Sequence, residues 1–285
     1  MSNIVVLVKQ VPDTANITGD AMKEDGTVNR GALPAVFNPE DLNALEMALS
    51  VKEKTGWRVH VITMGPSKAA EVLRYARYMG ADEVVLISDR KFAAADTLAT
   101  SYVLSEAVKK IGDVKVVFAG RQAIDGDTAQ VGPQVAEKID FDQLTYVTAI
   151  DEINEDYVIA ERDGGYQHEK IKLNLPVLLT VTESANEPRY PSAKGMLEFF
   201  RARPENELSG EEGKRATANG WIIPVWNVDK LGLDVEKCGL KGSPTKVFRI
   251  KSISLAGGDL EIFDDGNKGV QALVKSIMKD YVEVD

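Results

Sequence analysis

The sequence predicts an α/β fold: a Rossmann-like, doubly wound, mostly parallel sheet with antiparallel additions and a C-terminal arm. Three observations predict it. Short apolar, β-branched runs alternate with helical stretches over the first 140 residues. Strand-like runs separated only by turns come next, over residues 145–181. From residue 184 the chain turns irregular and charged, with Pro188 and Pro191 breaking any regular element.

Residues 4–8 form an apolar run of strand length. Residues 39–54 carry Leu42, Leu45, Ala48 and Leu49 at helical spacing, with Pro39 suited to the first helical position and Asn38 to the cap. Residues 58–64 read as the second strand, 68–79 as a helix opened by Gly65-Pro66-Ser67, 83–87 as the third strand and 98–109 as the third helix. Residues 114–119 are the fourth strand, and a further helix ends near Lys138. Alternation at this spacing implies right-handed crossovers and a parallel sheet. Residues 145–153, 156–161, 167–173 and 177–181 then read as strands, with Asp163-Gly164-Gly165 as a hairpin turn. Residues 204–219 read as a linker, 247–253 as a β-like run and 268–281 as a final helix. The expected division is 1–183 as an α/β domain and 184–285 as an arm and extension. That extension is too small for a robust core of its own, so its apolar residues are expected to pack on a partner subunit.

Composition narrows the function. The chain has 285 residues, 44% of them apolar, and a net charge of −10. Such acidity argues against nucleic acid, whose binders show a basic face, and against docking on anionic lipid. No stretch approaches the ~20 apolar residues of a membrane span, so direct membrane insertion is not expected. The N-terminus enters a strand pattern at once, so no signal peptide is expected. One cysteine, Cys238, excludes an internal disulfide framework, and a cytoplasmic location is expected. With one cysteine and two histidines a structural zinc site is not expected.

In a doubly wound sheet ligands sit beyond the carboxyl ends of strands, where the strand order reverses. The most informative loop there is Gly120-Arg121-Gln122-Ala123-Ile124-Asp125-Gly126-Asp127-Thr128-Ala129-Gln130-Val131, between the fourth strand and a helix. Glycines and small side chains let backbone N–H groups approach an anion, and a helix N-terminus behind them adds a favourable dipole. The run also fits a plain turn, with Asp127 or Thr128 capping the helix and Gly126 turning the chain. It matches neither G-x-G-x-x-G nor a Walker loop. Catalytic groupings are thin. His60 lies within a strand pattern and reads as a satisfied core or edge histidine, and His168 reads as solvated. No nucleophile elbow, H-E-x-x-H or C-x-x-C is present. Asp125 and Asp127 read as partners of turn amides. An anion cradle without a catalytic set suits a protein whose chemistry belongs to a bound cofactor.

Several segments together resemble the small (beta) subunit of electron transfer flavoproteins. They are Val8-Lys9-Gln10-Val11-Pro12-Asp13, Asn38-Pro39, Met64-Gly65-Pro66, Met79-Gly80-Ala81-Asp82, and Gly120 through Gln130. They continue with Glu161-Arg162-Asp163-Gly164-Gly165, Leu175-Pro176-Val177-Leu178-Leu179-Thr180 and Asn186-Glu187-Pro188-Arg189-Tyr190-Pro191. The resemblance implies a nucleotide-binding α/β domain with an arm wrapping a larger alpha subunit that carries one FAD. It implies a nucleotide on this chain, touching Leu7, Asn38, Pro39, Met64, Gly65 and the run from Gly120 to Val131. That nucleotide is AMP in ordinary members and a second FAD in electron-bifurcating ones. Val11-Pro12-Asp13, Gly26-Thr27-Val28-Asn29-Arg30 and Asn38-Pro39-Glu40-Asp41 resemble the bifurcating branch. That branch implies NADH as donor and electrons divided between ferredoxin or flavodoxin and the alpha-subunit FAD. Arg121 and Arg30 are candidates to balance flavin or diphosphate charge.

The chain also departs from the family. Pro191 through Phe200 lacks the leucine anchor and the lysine-rich stretch of members that serve acyl-CoA dehydrogenases. A lactate-type dehydrogenase or a membrane quinone oxidoreductase therefore stands as an alternative acceptor beside an acyl-CoA dehydrogenase, and the resemblance implies nothing for the tail beyond Gly213. Two other readings use the same scaffold. A universal-stress-type nucleotide-binding module has no use for the arm. An ATP-pyrophosphatase needs a Ser-Gly-Gly-x-Asp-Ser loop after the first strand, which Lys9-Gln10-Val11-Pro12-Asp13 lacks.

Overall fold

A computed structural model describes residues 2–13, 34–245, 261–264 and 266–282. The expected β-like run over 247–253, and Arg30 with the rest of Gly26-Thr27-Val28-Asn29-Arg30, lie outside the described residues. In chain order, β1 (Asn3–Leu7) leads to β2 (Gln10–Pro12) and β3 (Ala35–Phe37), which pair antiparallel. Next come α1 (Pro39–Thr55), β4 (Arg58–Met64), α2 (Ala70–Met79), β5 (Glu83–Ile87), α3 (Thr97–Ile111), β6 (Val114–Gly120) and α4 (Val131–Ile139). They are succeeded by β7 (Asp142–Ile153), β8 (Tyr157–Asp163), β9 (His168–Asn174) and β10 (Val177–Val181). The remainder holds α5 (Ala193–Phe199), β11 (Arg203–Pro204), α6 (Gly210–Ala218), β12 (Ile222–Ile223), β13 (Val225–Trp226), α7 (Val228–Leu231) and α8 (Asn267–Val282).

Nine strands form one sheet in the order β13-β5-β4-β1-β6-β10-β7-β8-β9. From β13 to β7 every pairing is parallel, and β8 and β9 add an antiparallel edge. Each central strand buries both faces, as parallel strands between helical layers must. Side-chain alternation divides them: Ile4 and Val6 join an apolar layer with Leu45, Leu49 and Leu73 of α1 and α2. Val5 and Leu7 join a second layer with Val103, Ala107 and Val135 of α3 and α4. The chain runs outward from β1 through β4 to β5, then returns to place β6 on the other side of β1. The carboxyl ends of β1 and β6 are therefore the switch point, where loops diverge and leave a crevice.

Two details differ from the sequence reading. The strand read over 177–181 is not an edge: β10 inserts between β6 and β7, pairing parallel with both and shifting register against β7 after Leu179. The stretch read as a linker over 204–219 contains α6 and a buried Pro204. The apolar residues beyond it also pack on the parent domain. Val225 and Trp226 pair parallel with Leu86 and Ile87 of β5. Ile223 is completely buried, and Val228, Leu233 and Cys238 lie under cover of the α3 layer. Hydrogen bonds from the Leu86 and Ser88 amides to the carbonyls of Pro224 and Trp226 compensate the edge of β5 that would otherwise be open. In contrast, α8 exposes Val270, Leu273, Val274, Ile277 and Met278, a stripe at helical spacing.

Because Ile223 belongs to the main core, Ile223→Ala is expected to lower the unfolding free energy by about 2–4 kcal/mol in denaturant titration. A loss below about 1 kcal/mol would show that the extension is not part of that core.

Candidate functional site

The crevice is built by the first turn of α1. Asn38 stands before the helix and Pro39 opens it, as expected. The Asn38 side chain, however, does not cap the helix. It is fully buried and turned toward the loop after β6. Its Nδ2 donates to the Gln122 carbonyl (2.9 Å), and its Oδ1 accepts from the Ile124 N–H (3.1 Å). Glu40 is next: Oε2 accepts from the Gln122 N–H (2.8 Å), and Oε1 lies 3.0 Å from Nε of Arg121. Asp41 spans both lips of the crevice. Its Oδ1 accepts from the Gly120 N–H (3.0 Å) and its Oδ2 from the Lys9 N–H (2.8 Å). Three side chains at one helix start thus hold the ends of both switch-point strands.

Gly120 is required by this arrangement. A Cβ there would lie 2.4 Å from Asp41 Oδ1 and 2.8 Å from the Glu40 carbonyl carbon. Burial pushes the Asp41 carboxyl up to about 7, although Asn38 and the amides of Lys9 and Gly120 favour its ionised form. Burial also raises Glu40, against the pull of the Gln122 amide and the Arg121 guanidinium.

Beyond Ile124 the loop is differently held. Lys9 Nζ contacts both oxygens of Asp125 (2.6 and 2.8 Å), joining the two lips. Gln122 Nε2 donates to Asp127 Oδ1 (2.9 Å), so Asp125 and Asp127 bond side chains rather than turn amides. Left-handed backbone falls at Asp127 (φ 49°) and Ala129 (φ 52°), not at Gly126. No side chain caps α4; Gln130 occupies that position, and Thr97 Oγ1 donates to its side-chain oxygen (3.0 Å). The expected capping role of Asp127 or Thr128 is therefore not what the loop does. The N–H groups of Thr128, Ala129, Gln130 and Val131 have no acceptor among the described residues. Gly126, Asp127, Thr128 and Gln130 are exposed, while Arg121, Ala123 and Ala129 are half-buried. Amides without an acceptor at a helix start, beside left-handed residues, are groups that can receive an anion.

The other expected residues lie at the ends of β1 and β4 and at the start of α4. Leu7 is paired with Ala119 and Ile62, and Met64 and Val131 pack against the apolar layer that contains Leu7. Gly65 is half-buried and donates its N–H to the Ile87 carbonyl (3.0 Å) at the end of β4. Glu40 and Asp41, which fix the geometry, are not singled out as site residues by sequence reasoning. Two acids after a helix-opening proline signal only a dipole match. His60 bonds Asn3 Oδ1 (3.0 Å) inside the sheet, and burial lowers its pKa, while His168 is exposed. No group of metal-ligating side chains occurs among the described residues, and no described helix is long and apolar enough to cross a membrane.

Comparison with known proteins turns this geometry into a family assignment. Residues 25–205 match the electron transfer flavoprotein domain. The chain is 44% identical to an electron transfer flavoprotein subunit beta of Thermoanaerobacterium thermosaccharolyticum, over 98% of this chain and 99% of the relative. The chain belongs to the electron transfer flavoprotein beta-subunit family. It is also 43% identical to the caffeyl-CoA reductase-Etf complex subunit CarD of Acetobacterium woodii, over 90% of this chain and 89% of that one. With the acryloyl-CoA reductase electron transfer subunit gamma of Anaerotignum propionicum it shares 39% identity, over 98% and 99%.

Asp41→Asn is expected to place an amide donor against one of two backbone N–H groups. Faster hydrogen exchange at Lys9 and Gly120, with β5 unchanged, checks this. The sign of the pH effect comes from the raised carboxyl. Relative to Asp41→Asn, the native chain's unfolding free energy falls as pH rises from about 4 to about 7, by at most about 1.4 kcal/mol per pH unit, and is flat above. Parallel stability profiles of the two proteins would contradict it.

Proposed function

We propose that this chain is the beta subunit of a heterodimeric electron transfer flavoprotein and holds an FAD whose diphosphate lies on the free amides of residues 128–131. The observation that carries this reading is the division of the loop. Its first half is bonded to Asn38, Glu40 and Asp41, and the N–H groups of its second half have no acceptor among the described residues. Lys9 and Arg121 are already balanced by Asp125 and Glu40. Recognition of the diphosphate therefore falls chiefly to backbone amides and the start of α4, with Leu7, Met64 and Val131 supplying apolar contact and Asn38, Pro39 and Gly65 bordering it. Bound FAD would supply the redox chemistry: hydride acceptance from NADH, with the electrons divided between a ferredoxin- or flavodoxin-type carrier and the FAD of the alpha subunit. The motifs around Val11-Pro12-Asp13 and Asn38 through Asp41 favour this bifurcating reading over a plain carrier holding AMP.

The partner side of the proposal rests on what the fold leaves uncovered. Of the expected arm, residues 222–238 serve the parent core, so the apolar stripe of α8 is the part assigned to the alpha subunit. Tyr190, Met196 and Leu197 are also exposed, on and beside α5. The names of two relatives tie them to CoA reductases, which favours a flavin dehydrogenase of the acyl-CoA type over a lactate-type enzyme or a membrane quinone oxidoreductase. A cytoplasmic location belongs to the same reading.

Denaturing the purified heterodimer and identifying the released nucleotides tests the proposal. Two FAD per heterodimer and flavin bleaching by NADH are expected; one FAD with one AMP would give the plain carrier instead. Gly126→Val is a mild probe of the cradle, since a Cβ there meets no protein atom within 4 Å. It is expected to reduce bound nucleotide on this chain at least about tenfold, equivalent to about 1.4 kcal/mol, with the unfolding midpoint unchanged. Full nucleotide content in that variant would count against the cradle.

A further inference from the structure

The stretch read as a linker builds a second concavity. A cleft of about 790 Å³ lies between the start of α2 and the segment running from the end of α5 through α6 to Trp221. This volume is in the range of small-molecule sites. None of the residues assigned above to the diphosphate crevice lines it.

Its charge is unusual for a chain of net charge −10. Lys68, Arg74, Arg201, Arg203 and Arg215 line it, against Glu71, Glu207 and Glu212. The three acids are already engaged. Glu71 accepts from Gln10 Nε2 (3.1 Å), and Arg203 pairs with both Glu207 (3.7 Å) and Glu212 (2.6 Å). Arg74 donates to the Ala202 carbonyl (3.2 Å) and thereby ties the α2 wall to the opposite one. Lys68, Arg201 and Arg215 have no carboxylate within ion-pair distance among the described residues. The Arg201 guanidinium sits 5.1 Å from the ring centroids of both Phe200 and Trp221. An arginine held against two aromatic faces is a platform on which a planar ring stacks.

We propose that this cleft is a second ligand site, taking a nucleoside phosphate. Its base stacks on the Arg201–Phe200–Trp221 platform, and its phosphates are met by Lys68 and Arg215. A ring alone would leave Lys68 and Arg215 uncompensated, and a phosphate alone would leave the Arg201 platform without a stacking partner. The concave shape and its volume fit a small molecule.

The test uses the purified heterodimer with its resident nucleotides in place, labelled ADP in equilibrium dialysis, and adenosine and inorganic pyrophosphate as partial probes. One exchangeable ADP per heterodimer is expected, held more tightly than either partial probe. Lys68→Ala combined with Arg215→Ala is expected to weaken ADP about tenfold or more while sparing adenosine, as lost charge-assisted contacts to phosphate require. Arg201→Ala is expected to weaken ADP and adenosine alike by about threefold to tenfold, the scale of a lost stacking contact. All three substituted residues are exposed, so resident flavin and nucleotide content should not change. Absence of exchangeable ADP, ADP binding indifferent to both variants, or loss of ADP only together with the resident nucleotides would each overturn the proposal.

Discussion

The bond between the Asp41 carboxylate and the backbone N–H groups of Lys9 and Gly120 is the constraint on which the crevice depends. At a switch point two adjacent strands end with no further ladder between their loops. Their backbone groups must find partners elsewhere or meet water. Asp41, with Glu40 and Asn38 beside it, accepts amides of the β1 and β6 exits and brings both to one helix start. Burying these carboxyls is costly, as the elevated Asp41 carboxyl shows. The cost is offset by the amides that would otherwise be unpaired. Negative charge at the first turn of α1 also opposes the helix dipole favourably.

The outward half of the loop is a consequence of this anchoring. With Gly120, Gln122 and Ile124 bonded to the start of α1, the chain reaches α4 through left-handed residues at 127 and 129, and the amides of residues 128–131 find no acceptor among the described residues. Rigidity in the first half thus pre-organises the second. Charge is handled in the same local way. Lys9 and Arg121 each have a carboxylate partner, and with Asp41 and Asp127 beside them the acids of the rim outnumber its cations. The cleft walled by α6 is the opposite case: Arg203 takes two of its acids, while Lys68, Arg201 and Arg215 have no carboxylate within ion-pair distance among the described residues. The two proposed anion sites therefore differ in character, one made of amides and one of side chains.

The sequence exposes some of this and hides the rest, for physical reasons. Strands β1, β4, β5 and β6 and helices α1 to α3 are legible because apolar spacing records which face is buried. The place of β10 between β6 and β7 is not legible, since local periodicity says nothing about which strand lies beside which. Two-residue strands such as β13 have no period, and α6, charged and carrying one buried residue, has the composition of a linker. The loop after β6 is legible from its glycines and small residues. Asn38 is legible as the residue before the helix, but its side chain does different work. Its preference for bonding the loop over capping its own helix depends on a segment 84 residues away. Glu40 and Asp41 escape sequence reasoning as site residues because acids in a first helical turn are ordinary, and only the fold shows what they hold.

A crystal structure of the heterodimer with its nucleotides bound tests the central claim most directly. The expected result is phosphate oxygens within hydrogen-bond distance of the N–H groups of residues 128–131, with the Asp41 bonds to Lys9 and Gly120 intact. A nucleotide seated elsewhere on this chain, or a loop that has left Asp41 to receive it, would contradict that claim.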